Sequence, residues 1–237
     1  MKHLSIILAF LITLCSPVAG QDYDKGMVAY EANDYVTAFN ELKPLAEAGS
    51  AKAQNILGLM YNWGDGKRKK FDEDSAQAIK WYQLSVEQDN ADAQYNLGRM
   101  YERGQGVLQN YTDAIKLYRL AAAQDSVDGL TRLSFMYLMG RGVKKDLVEA
   151  TKLRHLAAKL GDPSAHGYLG NAYRGGYGVL QDNIIAHLWF NIGAANGDNF
   201  STKNRDKLAL DMTPEAIEKA QAMARKCMES NYKECGY

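Results

Sequence analysis

From residue 50 to residue 197, apolar and small side chains return on two alternating helical stripes separated by polar positions. Residues 90–125 show the pattern most cleanly. Ala93, Leu97, Gly98 and Tyr101 fall at i, i+4, i+5 and i+8, one stripe of a first helix; Ala114, Leu117, Tyr118 and Ala121 form the stripe of a second. Between the two stripes stands Tyr-x-x-Gly-x-Gly. It recurs at Tyr61/Gly64/Gly66, Tyr101/Gly104/Gly106, Tyr137/Gly140/Gly142 and Tyr173/Gly176/Gly178, in steps of 40, 36 and 36 residues. A fixed period of that size predicts an all-α solenoid of stacked helical hairpins.

Glycine costs about 1 kcal/mol inside a helix, so its return at Gly58, Gly98 and Gly170 calls for a close helix approach. Ser134, the next smallest choice, holds that position in the third copy, where the same constraint is expected. The Gly-x-Gly pair is expected to end each first helix, because a left-handed C-cap is cheapest for glycine. Each second helix is expected to end at Asp89, Asp125, Gly161 or Gly197.

The combined pattern, Ala-x-x-x-Leu-Gly-x-x-Tyr-x-x-Gly-x-Gly-Val followed by Ala-x-x-(Trp/Leu)-(Tyr/Phe)-x-x-Ala-Ala, resembles the Sel-one-like repeat, a relative of the tetratricopeptide repeat. The resemblance implies a right-handed superhelix of helical hairpins and divides residues 50–197 into copies at 50–89, 90–125, 126–161 and 162–197. The third copy departs most, with Ser134 for Gly and Arg154 for the aromatic. Residues 21–49 keep Ala38 and Gly49 in register but carry a tight turn, as in a tetratricopeptide-like capping hairpin. Residues 198–237 are expected to form a helical cap, with Thr213, Pro214 and Glu215 opening its last helix and Ile217, Ala220, Ala224 and Met228 covering the final repeat.

The first residues have the form of an export signal: Lys2, an apolar run from Leu4 to Leu14, and the small residues Val18-Ala19-Gly20 before Gln21. The run is too short to span a bilayer, and no later stretch reaches ~18 apolar residues, so the expectation is a mature chain without an integral membrane segment, periplasmic or secreted from a Gram-negative bacterium. Bulky Leu14 before Cys15 argues against a lipid anchor. Cleavage after Gly20 leaves 27 basic and 28 acidic side chains, a balance that argues against nucleic acid as partner. It also leaves Cys227 and Cys235, which either close a small C-terminal loop by a disulfide or remain free thiols.

Signatures of covalent chemistry are missing: there is no His-Glu-x-x-His, Gly-x-Ser-x-Gly, phosphate-cradling Gly-x-x-x-x-Gly-Lys or Ser-x-x-Lys. His155, His166 and His187 lack metal-ligand spacing. His155 stands where other copies have Gln83, Arg119 and Asn191 and is expected to be solvated; His187 replaces Ile79 and Ile115 and is expected to be partly buried and structural. The run Lys67 to Lys70 is offset at once by Asp72, Glu73 and Asp74 and reads as a solvated loop. The sequons at Asn110 and Asn199 matter only in a eukaryotic secretory route. No catalytic residue, metal or cofactor is therefore expected.

In solenoids of this kind the first helices line the concave face. A residue two after the recurring Leu points about 200° away from it. Offsets of −2, +2, +5 and +6 select Asn55, Leu59, Asn62 and Trp63; Tyr95, Arg99, Glu102 and Arg103; Thr131, Phe135, Leu138 and Met139; and Gly167, Asn171, Arg174 and Gly175. Apolar, aromatic and arginine residues dominate that set, as they do the centres of protein interfaces. The sequence thus points to a non-enzymatic adaptor that holds a protein or extended peptide in its groove. The resemblance implies work in envelope assembly, signalling or host contact. A second reading, a binder or hydrolase of cell-wall fragments or β-lactams, follows from the family's cysteine-rich branch, whose repeats each carry a cysteine pair that residues 50–197 lack.

Overall fold

The computed structural model describes residues 22–62 and 74–235. The expected leader, Trp63 and the Lys67 to Lys70 loop lie outside these residues. Within them the chain forms twelve helices and no strand: α1 (Tyr23–Glu31), α2 (Tyr35–Glu47), α3 (Ala51–Asn62), α4 (Ser75–Val86), α5 (Ala91–Arg103), α6 (Tyr111–Ala122), α7 (Val127–Met139), α8 (Leu147–Lys159), α9 (Pro163–Gly175), α10 (Asn183–Ala195), α11 (Asn199–Ala209) and α12 (Pro214–Glu229). Each helix packs on the next through α11, and α12 folds back onto α10. Helices α3, α5 and α7 also touch in succession, as do α9 and α11, whereas no two second helices of the repeats come as close. That inequality makes the row of first helices the inner side of a curved stack.

The element boundaries follow from short-range chemistry. Asp, Asn, Ser or Thr side chains cap the backbone N–H groups that open the helices, from Asp22 on α1 to Thr213 on α12. The first helices α5, α7 and α9 end at Gly104, Gly140 and Gly176, each near φ +68°, the left-handed conformation that glycine adopts without Cβ strain. A second bond then clasps the loop: the N–H of Asn110, Asp146 or Asp182 donates to the carbonyl of Tyr101, Tyr137 or Tyr173 at 2.9–3.0 Å. Asp74 keeps the same bond to Tyr61, at 3.2 Å, across the longer first loop.

Packing explains the small residues. A Cβ at Gly98 would lie 2.7 Å from the ring of fully buried Tyr118, and Gly58 and Gly170 stand in the same relation to Tyr82 and Phe190. The third copy breaks the pair on both sides. Arg154 replaces the ring, so the glycine loses its reason, and the Ser134 hydroxyl fills the gap by donating to the Ala150 carbonyl at 2.8 Å. The close helix approach expected at Ser134 is thus kept without the ring: the fully buried serine meets the backbone of the paired helix directly.

Arg154 turns instead to the next repeat. Its guanidinium lies 3.5 Å from Asp162, 3.1 Å from Ser164 and 5.2 Å from the ring centre of Tyr168. At the C-terminal end Ala220 and Ala224 are buried against the last hairpin, and a disulfide joins Cys227 to Cys235. No helix among the described residues is long and apolar enough to cross a membrane.

Candidate functional site

The inner face carries two layers of residues, those consumed in joining repeats and those left toward the groove. Asn55, Glu102 and Gly167, placed by the helical-wheel offsets on the open side, are buried. Asn55 accepts from the Asn96 side chain at 3.1 Å, bridging the first and second copies. Glu102 receives both arms of Arg132, at 2.8 and 3.0 Å, and the Tyr118 hydroxyl at 2.7 Å. Superhelical stacking brings the next first helix against that side of the previous one, so part of the wheel's open arc becomes a seam. Thr131 is also spent there, donating to Asp162 at 2.9 Å, as is Arg174, which holds Asn204 and Asn171 at 2.8 Å each.

Other predicted positions remain partly open. Tyr95 lies under Arg99, 5.6 Å from guanidinium to ring centre. Phe135 is sandwiched by Arg132 and Arg141, at 5.2 and 5.3 Å. Leu59, Asn62 and Leu138 are half-buried, while Arg103 is exposed and Met139 is 51% exposed. Charge is divided across the groove. Asp92, Asp128 and Asp162 mark the helix starts, and desolvation together with the neighbouring Asp92 carboxylate holds Asp128 above the usual carboxylate range. Arg103, Arg141, Lys144 and Lys145 gather at the helix ends and loops, the sign that helix C-termini favour.

One concavity lies between the third and fourth copies. It has a volume of about 330 Å³ and is walled by Leu138, Leu147, Tyr168 and Tyr177, with Ala172 at its base and Lys145 and Asn171 at its polar margin. Tyr168 and Asn171 are shared with a second, more open depression bordered by Pro163, Asp198 and Phe200. The Tyr168 hydroxyl is buried and meets no hydrogen-bond partner among the described residues.

Tyr177 is 55% exposed, and its backbone is held in place. Its ring lies directly on Gly175, where a Cβ would collide with it; Gly178 presses on the Leu147 carbonyl; and the buried Thr151 hydroxyl donates to the Tyr177 carbonyl at 3.0 Å. The wheel offsets pass over Tyr168, Lys145, Leu147 and Tyr177. One signal for the last was present, an aromatic between two loop glycines where the other copies have Gln105 and Arg141.

His166 and His187 lie in the core of the fourth copy, and His155 packs against it from the third. His155 departs from the solvated expectation: its Nε2 is 3.2 Å from the Tyr173 hydroxyl and its ring 5.7 Å from that of Trp189. Burial pushes its pKa down to about 4. His166, fully buried, stacks on Trp189 at 5.8 Å and lies 5.4 Å from Tyr232; burial lowers its pKa against the pull of Asp162 and Asp198. His187 is buried as expected, with the Asn191 amide 2.8 Å from its Nδ1. Among the described residues no group of three His, Cys, Asp or Glu side chains is placed to hold a metal ion.

A curved array of two-helix units with an open inner face defines a helical-repeat protein of the interaction-scaffold class. The Sel1 repeat family pattern matches residues 51–90, 91–126, 127–162 and 163–198, so the chain belongs to that family. Among solved structures it resembles c5321, a protective antigen present in uropathogenic Escherichia coli strains displaying an SLR fold, with 29% identity and a TM-score of 0.78 over 90% of this chain and 46% of that one. A Sel1 repeat protein from Oxalobacter formigenes is similar at 27% identity and a TM-score of 0.69, over 91% of this chain and 93% of that one. A putative sel1-like repeat-containing protein of Acanthamoeba polyphaga mimivirus is 39% identical over 66 residues, 28% of this chain and 12% of that protein. The chain thus spans less than half the length of the antigen and about an eighth of the viral protein.

Proposed function

We propose that this protein is a non-catalytic adaptor of the bacterial envelope or exterior that holds an extended segment of a partner protein along its inner face. The observation that carries this reading is the pair of arginine–aromatic clusters on that face, Arg99 on Tyr95 and Arg132 with Arg141 on Phe135. Such groups present large, semi-rigid contact area at little entropic cost and anchor protein interfaces out of proportion to their number. The export-like first residues and the likeness to a protective antigen present in uropathogenic Escherichia coli strains support the location.

The test is affinity capture from envelope extract with mass spectrometry, comparing wild type with Tyr95→Ala/Phe135→Ala. The double variant loses the captured partner by at least tenfold while keeping its helical circular dichroism. Equal capture by both proteins sinks the groove reading.

A further inference from the structure

At the position three after the recurring Leu, the first three copies carry Met60, Met100 and Met136, each almost wholly buried. The fourth carries Ala172. The alanine lacks the Cγ, Sδ and Cε atoms that fill this part of the other junctions, and Ala172 forms the base of the 330 Å³ pocket. Neighbours of a truncated side chain relax only partly into the space it leaves. The opposite wall is also held: Thr151 anchors the Tyr177 backbone, the Tyr177 ring rests on Gly175, and Arg154 lies over Tyr168.

One charged side chain lines this pocket, the cation Lys145, which follows Arg141 and Lys144 in the same loop and enters no ion pair among the described residues. The nearby acid, Asp146, is occupied in capping α8 through the Glu149 N–H. An apolar cleft beside an uncompensated cation matches an apolar side chain next to a carboxylate. It disfavours a basic ligand, which would bury apolar surface at the cost of like-charge repulsion.

We infer that the junction of the third and fourth repeats is the specificity pocket of the groove, and that it takes a Leu-, Met- or Phe-sized side chain of an extended peptide whose neighbouring Asp or Glu pairs with Lys145. The inference rests on the groove reading above and narrows it to a partner chemistry.

A phage-displayed random dodecapeptide library panned on the wild-type protein tests both, with binding of the selected peptides then measured by fluorescence anisotropy. The selected peptides carry an apolar residue flanked by Asp or Glu. Ala172→Met restores the residue of the other three copies and refills the pocket, so it weakens binding at least tenfold with a Tm equal to or above wild type. Lys145→Glu weakens acidic peptides at least tenfold and improves Lys-flanked versions of them. If the selected peptides bind Ala172→Met as tightly as wild type yet are lost by Tyr95→Ala/Phe135→Ala, the groove stands and the pocket assignment falls. If panning yields no binder, both readings fall together.

Discussion

At the scale of single residues, the repeat reveals its constraints where its copies differ. Asp89 and Asp125 close their second helices at φ +57° and +59°, where the later copies place Gly161 and Gly197 at +85° and +83°. A Cβ in the left-handed region costs about 1–2 kcal/mol, eased for Asp by local hydrogen bonding. Asp125→Gly is therefore expected to stabilise the fold by up to about 1 kcal/mol, read as a higher urea midpoint with an unchanged slope. These closures were legible because they fall at a constant distance from a central Ala. Ala172 was also legible as a departure from methionine, but whether a shortened side chain leaves a void or a collapsed seam depends on walls that a one-dimensional pattern does not contain.

At the scale of the element, helices were read well because each stripe is a property of one helix, and pairing between repeats was read poorly because it belongs to two. The buried Glu102 was assigned to the open face from its angle on α5, yet its partner Arg132 lies 30 residues on, on α7. Glu102→Gln keeps the shape and removes the charge, and it is expected to cost roughly 1–3 kcal/mol in equilibrium unfolding. Arg103→Ala, one exposed residue further along, stays within about 0.5 kcal/mol.

The hairpin α9–α10 carries a separate liability. Its neighbour His155 has a folded pKa near 4 against 6.5 unfolded, so the unfolded chain takes up its proton first. That contribution is fully present above pH 6.5 and is lost as pH falls toward 4, by on the order of 3 kcal/mol. Tm measured across that interval checks it. His155→Gln, which installs the residue the first copy has at Gln83, flattens the profile without abolishing it, because His166 and His187 are displaced in the same direction.

At the scale of the whole molecule, every repeat leans on its immediate neighbours, so stability is close to a sum of units and junctions. The two ends of that sum are unlike. Among the described residues the first hairpin packs onward against α3, whereas the last carries both α11 and α12 and the Cys227–Cys235 bond. Closing an eight-residue separation is worth about 2.5 kcal/mol on the chain-entropy model. Cys227→Ser/Cys235→Ser is expected to lower stability by about that amount, with faster amide exchange confined to α10–α12. In the native protein an array latched at one end behaves as a zipper with a single slider: opening begins at α1 and runs toward the latch. The cleft against Ala172 lies toward the far end of that run, so the leading hairpins can fray and re-form, in the manner of a tether taking up slack, while the proposed gripping end stays set.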